Sequence, residues 1–392
     1  MTILQGIRVI DAATYIAGPS ATTVMSDFGA EVIKIEPPGG DAYRRLIDMP
    51  GIPSAEVNYL WELDNRNKRG IALNFAEPDD LAVLHALVRE ADVLVINHPH
   101  PVRRKLGLTA GDLMPLNDRL IYASLTGFGE EGPEADNRGY DLSTYWARSG
   151  LMHLVRPDME GAPAGSVAGQ GDHPTGLALF GAIMLALYER QSTGKGRKVH
   201  TSLIANGLWS NGCFTQGALA GAPKVERQPR DNPASALVNT YMSRDQRWFI
   251  FSALQPDRDW LRLTEAVGRE EWRDDPRFRT MEVRREHAAD LVKMLDVIFA
   301  GRDWADWKPV FDRVGLQAGP VYTPEDAVAD AQARASGAVR IDTANPAVPE
   351  IIDSPMWLDG VGKRQARPAP ELDADGTAIR DRIAAGGSGW EA

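Results

Sequence analysis

Short β-branched runs and amphipathic segments alternate through the first third of the chain. Ile7–Asp11 (IRVID) predicts a strand. Gly18-Pro19 breaks the chain, and Ser20–Phe28 then predicts a helix with Ala21, Val24, Met25 and Phe28 on one face and Ser20 as its cap. Gly29 stands as a C-terminal cap, and Ala30–Glu36 (AEVIKIE) predicts a second strand, ended by Pro37-Pro38-Gly39-Gly40. Strand, helix and strand in so short a space make a βαβ unit and imply a parallel sheet. The pattern recurs: Arg69–Asn74 as strand, Glu77–Arg89 as helix, Asp92–Asn97 as buried strand, Thr109–Leu116 as helix and Arg119–Leu125 as strand. An open α/β sheet is expected through about Gly127, with ligand sites in the loops at the strand C-termini.

Beyond it the pattern loosens. Leu142–Ser149 reads as helix, Arg156–His173 as a long exposed loop or lid, and Thr175–Arg190 as a largely apolar helix. Lys198–Leu203 leads into more helix through Trp209, and Gly217–Pro233 is a linker rich in Gly, Pro and Arg. From Ser235 the character changes. Val238–Met242 and Trp248–Ser252 predict a hairpin, and amphipathic helices follow near Asp257–Val267, His287–Phe299 and Trp304–Val314. Thr323 and Pro324 open another helix as cap and first-turn residue. The tail from Pro346 has low strand content and is expected to lie over another part of the protein.

Composition narrows the function classes. The 392 residues are 43% hydrophobic and 25% charged, with a formal charge of -11, so a soluble globular protein fits and sequence-independent nucleic-acid binding does not. The single cysteine, Cys213, excludes an intrachain disulfide and an iron–sulfur cluster; it reads as a buried thiol before a nucleophile. The longest apolar stretch, Leu177–Tyr188, is too short to span a bilayer, and the N-terminus carries no leader pattern, so a cytoplasmic protein without membrane contact is expected.

Several motifs carry candidate chemistry. Gly127-Phe128-Gly129-Glu130-Glu131-Gly132 is formally GxGxxG, but its acidic residues repel a pyrophosphate, and Pro133 follows where a helix should begin, so it reads as a turn. His98-Pro99-His100 lacks a carboxylate or thiol at ligand spacing, and no metal is expected. Basic residues gather in loops of the α/β part: Arg44 and Arg45; Arg66, Lys68 and Arg69; Arg103, Arg104 and Lys105; and Arg138. They outline either a local phosphate site or ordinary solvated surface. Asp172, in Gly169-Gln170-Gly171-Asp172-His173-Pro174, stands after a glycine loop at the mouth of a helix. Helix N–H groups there hold a carboxylate at low pKa, which suits an ionised nucleophile and equally a plain N-cap.

An ordered series of blocks then resembles the family III CoA-transferases, the CaiB–BaiF family. It runs through Leu4–Asp11, Ala17-Gly18-Pro19, Asp27–Glu36, Asn65–Arg69, Ala91–Val95, Leu125–Gly129 with Gly132-Pro133, Thr193–Gly196 and Gly319-Pro320-Val321. The blocks cover most of the chain and are weak from Lys224 to Val314.

The resemblance implies a large α/β domain with an open, mostly parallel, Rossmann-like sheet built from both chain ends, a small inserted α+β domain, and an interlocked homodimer. The expected boundaries are 1–222 for the first part of the large domain, 223–234 for a linker, 235–320 for the small domain and 321–392 for the return. It implies that Asp172 is the catalytic carboxylate, passing through aspartyl anhydride and aspartyl-CoA thioester intermediates between an acyl-CoA and a small carboxylic acid. Gly169 and Gly171 become candidates for oxyanion support. Ile16, Ala17, Pro38, Asn97, Lys105, Leu106 and Arg138 fall at CoA-contact positions; Pro38 replaces an arginine found in some members, and Lys105 lacks arginine's planar fork. Coenzyme A enters as substrate, with no permanently bound cofactor. Trp61, Tyr140, Trp146 and Tyr145 are large enough to line an apolar acyl pocket and equally suit a core, and Tyr241 lies on the hairpin that would face such a pocket. Related α-methylacyl-CoA racemases carry a histidine where this chain has Tyr140, a poor base at neutral pH, so transfer is favoured over racemisation by His173 or His153. An intramolecular CoA isomerase and a non-catalytic CoA-binding protein stay as alternatives.

Overall fold

The computed structural model describes residues 2–341 and 344–390. The chain divides into two compact units: residues 1–152, 165–222 and 331–392 form the first, and residues 153–164 and 223–330 the second.

The first unit opens with β1 (Arg8–Ala12), α1 (Ala17–Asp27), β2 (Glu31–Glu36), α2 (Tyr59–Asn65), β3 (Arg69–Ala72), α3 (Pro78–Glu90), β4 (Val93–Ile96), α4 (His100–Leu106), α5 (Ala110–Leu113) and β5 (Ile121–Thr126). After a π-helical turn at Asp141–Ala147 and α6 (Leu151–Leu154), whose last two residues count with the second unit, come α7 (Asp172–Thr193), β6 (Lys198–Ser202), α8 (Leu203–Ser210) and α9 (Gly212–Leu219). All six strands are parallel, in the order β3-β2-β1-β4-β5-β6. Alternate residues feed opposite cores. Val9, Val32, Val93 and Val95 pack under α1 and α7, whereas Ile10, Ile33, Leu94 and Ile96 pack under α3 and the C-terminal segment. A parallel sheet covered on both faces needs such continuous apolar strands.

Three boundaries differ from expectation for physical reasons. Helix α1 begins at Ala17 and runs through Gly18-Pro19, because Pro19 sits in the first turn, where its missing N–H has no intrahelical partner. Lys198–Ser202 is an edge strand, not a lead into helix; its polar residues face outward beside β5, which hides the strand pattern. Asp141–Ala147 winds as π-helix, a geometry common at functional sites.

The second unit contains β7 (Thr240–Met242), β8 (Trp248–Phe251), α10 (Pro256–Ala266), α11 (Met281–Glu286), α12 (Ala288–Phe299), α13 (Trp304–Val314), β9 (Ala318–Pro320) and α14 (Pro324–Ala329). The expected hairpin is present, and β9 completes an antiparallel sheet of order β7-β8-β9. Its core is aromatic: Tyr241, Phe249, Phe251, Phe299 and Phe311 meet edge to face or tilted. Asp326 and Thr323 close a capping box at α14.

The chain then returns to the first unit through α15 (Ala331–Ala335), a two-stranded antiparallel ribbon of β10 (Val339–Ile341) and β11 (Glu350–Ile352), and α16 (Gly376–Ala384). The tail covers the open edge of β3: Gly70 N–H donates to Asp375 (2.8 Å) and Ala72 N–H to Asp373 (2.8 Å). Carboxylates thus satisfy an edge that would otherwise recruit another strand. No helix among the described residues is long and apolar enough to cross a membrane.

Candidate active site

The strand order reverses between β1 and β4, where loops leave in opposite directions and open a crevice. A cleft of about 460 Å³ lies there, lined by Thr14–Ala17 after β1, Asn97–His100 after β4, Leu125–Gly127 after β5 and residues of the 135–141 segment, with Gly169 and Asp172 on its wall.

Buried charges hold the first of these loops. Asp11 accepts from Lys68 Nζ (2.8 Å), Thr22 Oγ1 (2.8 Å) and Ala13 N–H (3.2 Å), and Lys34 Nζ lies 3.9 Å away. Burial opposes the Asp11 charge, but the two lysines outweigh it and hold the carboxyl below its ordinary range. Lys34 donates to the Ala13 carbonyl and to Asp41 (3.0 Å). Asp41 accepts the Tyr15 N–H on both oxygens (3.2 Å each). Tyr15 consequently adopts φ +62°, a left-handed conformation that costs a non-glycine residue free energy, and its ring meets Tyr140 edge-on at 6.0 Å. The Asn97 amide clamps the same loop, accepting from Thr14 N–H (2.9 Å) and donating to the Thr14 carbonyl (2.8 Å).

Asp172 is the first residue of α7, and Gly171, not Asp172, is the N-cap. The helix is set by close contact: a Cβ at Gly176 would lie 2.2 Å from Ser20 Oγ and 2.6 Å from the Ala17 carbonyl, so only glycine lets α7 cross α1 this closely. Asp172 is half-buried and opens onto the cleft. Its carboxyl is not held low. Burial pushes it up to about 7, Asp141 and Asp64 add to the rise, and His173 counteracts it. The expectation of a low pKa from the helix terminus is thereby corrected: desolvation and two neighbouring carboxylates outweigh the helix N–H groups.

His173 turns away from that cleft. Its Nε2 lies 3.0 Å from Asp64 Oδ1, and Asp64, which is 2% exposed, accepts from Tyr43 Oη at 2.6 Å. The ring borders a second cavity of about 280 Å³ with Asp64, Arg66, Leu177 and Asp353. Gly169, at φ +80°, makes room for it: a Cβ there would lie 3.0 Å from His173 Cε1 and Nδ1.

The cleft gathers Ile16, Ala17, Asn97, Arg138, Tyr140, Gly169 and Asp172. Gly171 sits just behind it, pressed so closely on Tyr145 that a Cβ would fall 2.6 Å from the ring. Other expected contacts lie elsewhere. Pro38 and Lys105 are exposed outside the cleft lining, and Leu106 packs into the core under α3. Trp61 is buried against Ile16, Tyr43 and Ala369, with Nε1 donating to the Pro370 carbonyl. Trp146 is buried, as is Tyr145, whose hydroxyl bonds Ser210. Tyr241 is fully buried in the second unit's aromatic core, its hydroxyl donating to the Ala236 carbonyl. All four rings are buried in this structure. Cys213 is exposed rather than buried, and His153 falls in the second unit.

The basic cluster also sorts differently. Arg66 is committed to Asp27, Lys68 to Asp11 and Arg44 to Glu36, while buried Arg103 donates to Ser124 and to the His98 carbonyl. Arg104 pairs with exposed Asp136. Arg138 lines the cleft and has no ion-pair partner among the described residues. The sequence alone did not single out Tyr15, Asp41, Tyr43, Asp64 or Asp141. Only Asp41 carries a local signal, as the acidic residue after a double glycine that caps the following 3-10 turn.

The sequence matches CoA-transferase family III over residues 4–376. It is 30% identical over 377 residues to the (R)-2-hydroxy-4-methylpentanoate CoA-transferase of Clostridioides difficile, covering 94% of this chain and 92% of that one. It is 32% identical over 390 residues to the acetyl-CoA:oxalate CoA-transferase of Acetobacter aceti, covering 97% and 96%. Its fold is similar to a CaiB/BaiF family protein from Brucella suis, with a TM-score of 0.84 at 30% identity over 97% of this chain and 99% of the other.

Proposed function

The chain belongs to CoA-transferase family III, and from that premise we propose that it moves CoA from an acyl-CoA to a carboxylic acid with Asp172 as covalent nucleophile. The observation that carries this reading is the position of Asp172: on the wall of the cleft at the sheet's switch point, half-buried, on a helix whose start is fixed by close packing.

In the proposed sequence the Asp172 carboxylate adds to the thioester carbonyl, the C–S bond breaks, and an acyl-aspartyl anhydride forms with release of the CoA thiolate. The thiolate adds to the aspartyl carbonyl, expels the acyl group as its carboxylate and leaves an aspartyl-CoA thioester. The acceptor carboxylate attacks this thioester to form a second anhydride and free the thiolate again. The thiolate then attacks the new acyl carbonyl, yielding the new acyl-CoA and regenerating Asp172. The thioester's free energy is kept throughout, so no nucleotide is consumed. Each addition develops an oxyanion, and the backbone N–H groups of Gly169 and Gly171, in the loop that leads into Asp172, are the donors we assign to it. Arg138 is the cation we assign to the anionic portion of CoA, and Ile16, Ala17 and Tyr140 to its less polar portion. The desolvated setting of Asp172 suits the reaction, since a poorly solvated carboxylate is the more reactive nucleophile once ionised.

We further propose an interlocked homodimer as the active form. Leu185 (73% exposed), Tyr188 (75%), Trp209 (85%) and Leu219 (82%) stand uncovered on α7, α8 and α9, large apolar side chains that a second copy would cover.

The test is a transfer assay that crosses short, branched and aromatic acyl-CoA donors with a panel of carboxylic acids, read by mass spectrometry. A new acyl-CoA formed without nucleotide supports the reading. Tight CoA binding with no transfer from any donor favours a non-catalytic CoA-binding protein. Exchange of the α-hydrogen in heavy water without transfer favours a racemase.

A further inference from the structure

We propose that His173, braced by Asp64 and Tyr43, is a positioning residue that supplies the fixed positive charge against which Asp172 works, and is not itself an acid or base toward substrate. The inference rests on the reading of Asp172 as nucleophile and adds a partner to it.

The geometry runs through three elements. Tyr43, on the 3-10 turn after β2, donates its hydroxyl to Asp64 Oδ2 (2.6 Å). Asp64, on α2, presents its other oxygen to His173 Nε2 (3.0 Å). His173 follows Asp172 on the first turn of α7, but borders the second cavity and not the cleft. Its ring is thus on the second cavity, while Asp172 is on the cleft. Asp64 is almost fully buried, and its carboxylate is held by the Tyr43 hydroxyl on one oxygen while the other meets His173. An imidazole anchored by a buried, hydrogen-bonded carboxylate keeps one orientation and favours its charged form.

The charges around the pair agree. His173 faces Asp64 from α2, Asp172 on its own helix, and Arg66 and Asp353 across the second cavity; Asp172 faces Asp141 from the π-helical turn. Burial lowers the His173 pKa, but the hydrogen bond and charge of Asp64, the charge of Asp172 and the Gly169 carbonyl outweigh it and raise the imidazole above its ordinary value. Reciprocally, His173 draws the Asp172 pKa downward against burial, Asp141 and Asp64. Coupling between two sites has the same size read from either one.

That reciprocity supplies a test independent of turnover. In protein carrying [13Cε1]-histidine, the His173 resonance, assigned by its loss in His173→Gln, is titrated in the wild type, Asp64→Asn and Asp172→Asn. The expected result is a wild-type midpoint above about 6.5 that falls by about half a unit or more in each variant. A His173 midpoint that Asp172→Asn leaves unchanged overturns the proposal, whether or not the chain transfers CoA. The second arm follows the pH dependence of covalent CoA attachment. His173→Gln keeps a donor for Asp64 but removes the charge, and should move the acid limb upward by about one pH unit, lowering the rate on that limb roughly tenfold. An unmoved acid limb would mean that His173 only tethers α7 to α2. If the wild type forms no adduct at any pH, the transferase reading fails, and the resonance titration still decides the coupling.

Discussion

Asp172 concentrates the chemistry in one carboxyl group, and its surroundings work against its charge. Because its folded value is raised to about 7, ionisation is favoured more in the unfolded chain than in the folded one. The protonated form therefore suits the fold, and stability is lost as pH rises through the folded value. Replacement by Asn should stabilise the protein by about 1–2 kcal/mol above pH 7, with the gain shrinking toward pH 4; thermal denaturation of both proteins across that range checks it. The activity runs the other way. The nucleophile is the carboxylate, so kcat/KM should fall on the acid side of about pH 7, a limb that steady-state rates at saturating acceptor will reveal. At this scale the sequence was legible where chemistry is local. A carboxylate after a glycine loop at a helix mouth marked Asp172 as either an ionised nucleophile or a plain cap, and it was the family resemblance, not the local pattern, that named Ile16, Ala17 and Asn97. It was not legible where partners are distant. His173 meets Asp64 across 109 positions and Arg66 meets Asp27 across 39, so neither the brace on His173 nor the neutralised arginines leave a local pattern.

Among the elements, the cleft depends on loops held by buried ions more than on the strands they leave. Asp11 at the end of β1 is the shared counter-charge of Lys34 from β2 and Lys68 from the segment before β3, and both lysine side chains are fully buried. Removing the shared counter-charge leaves two desolvated cations opposed. Asp11→Asn should cost about 3–5 kcal/mol, measured as a drop in the urea midpoint at unchanged m-value. The loss should be accompanied by weaker CoA binding, since Lys34 also holds the Ala13 carbonyl and, through Asp41, the strained Tyr15. Strands with continuous apolar runs, such as Val93–Ile96, were readable because burial on both faces demands that composition. Lys198–Ser202 and Ala318–Pro320 were not. The first alternates polar residues at a sheet edge, and the second owes its extended form to pairing with β8 rather than to its own Ala-Gly-Pro.

For the molecule as a whole, the parallel sheet places every loop of the cleft at one end, while the C-terminal segment returns to seal the opposite edge at β3. The α/β class and the added antiparallel hairpin were legible from alternation and turn residues; the strand order that creates the crevice was not, because register and neighbour choice are set by packing across the sheet. The exposed apolar residues on α7, α8 and α9 belong to this scale too. Light scattering after size exclusion should give twice the chain mass, and Trp209→Glu combined with Leu185→Arg should shift the protein toward monomer at micromolar concentration. A wild type that stays monomeric at high concentration contradicts the proposed assembly.

The most direct measurement is covalent capture. The protein is incubated with an acyl-CoA donor and no acceptor, quenched in acid, digested and analysed by mass spectrometry, with a parallel sample treated with hydroxylamine. The account predicts CoA mass on the peptide bearing Asp172, its conversion to a hydroxamate at that residue, and no adduct in Asp172→Asn. Adduct on another residue, or full transfer activity in Asp172→Asn, would contradict it.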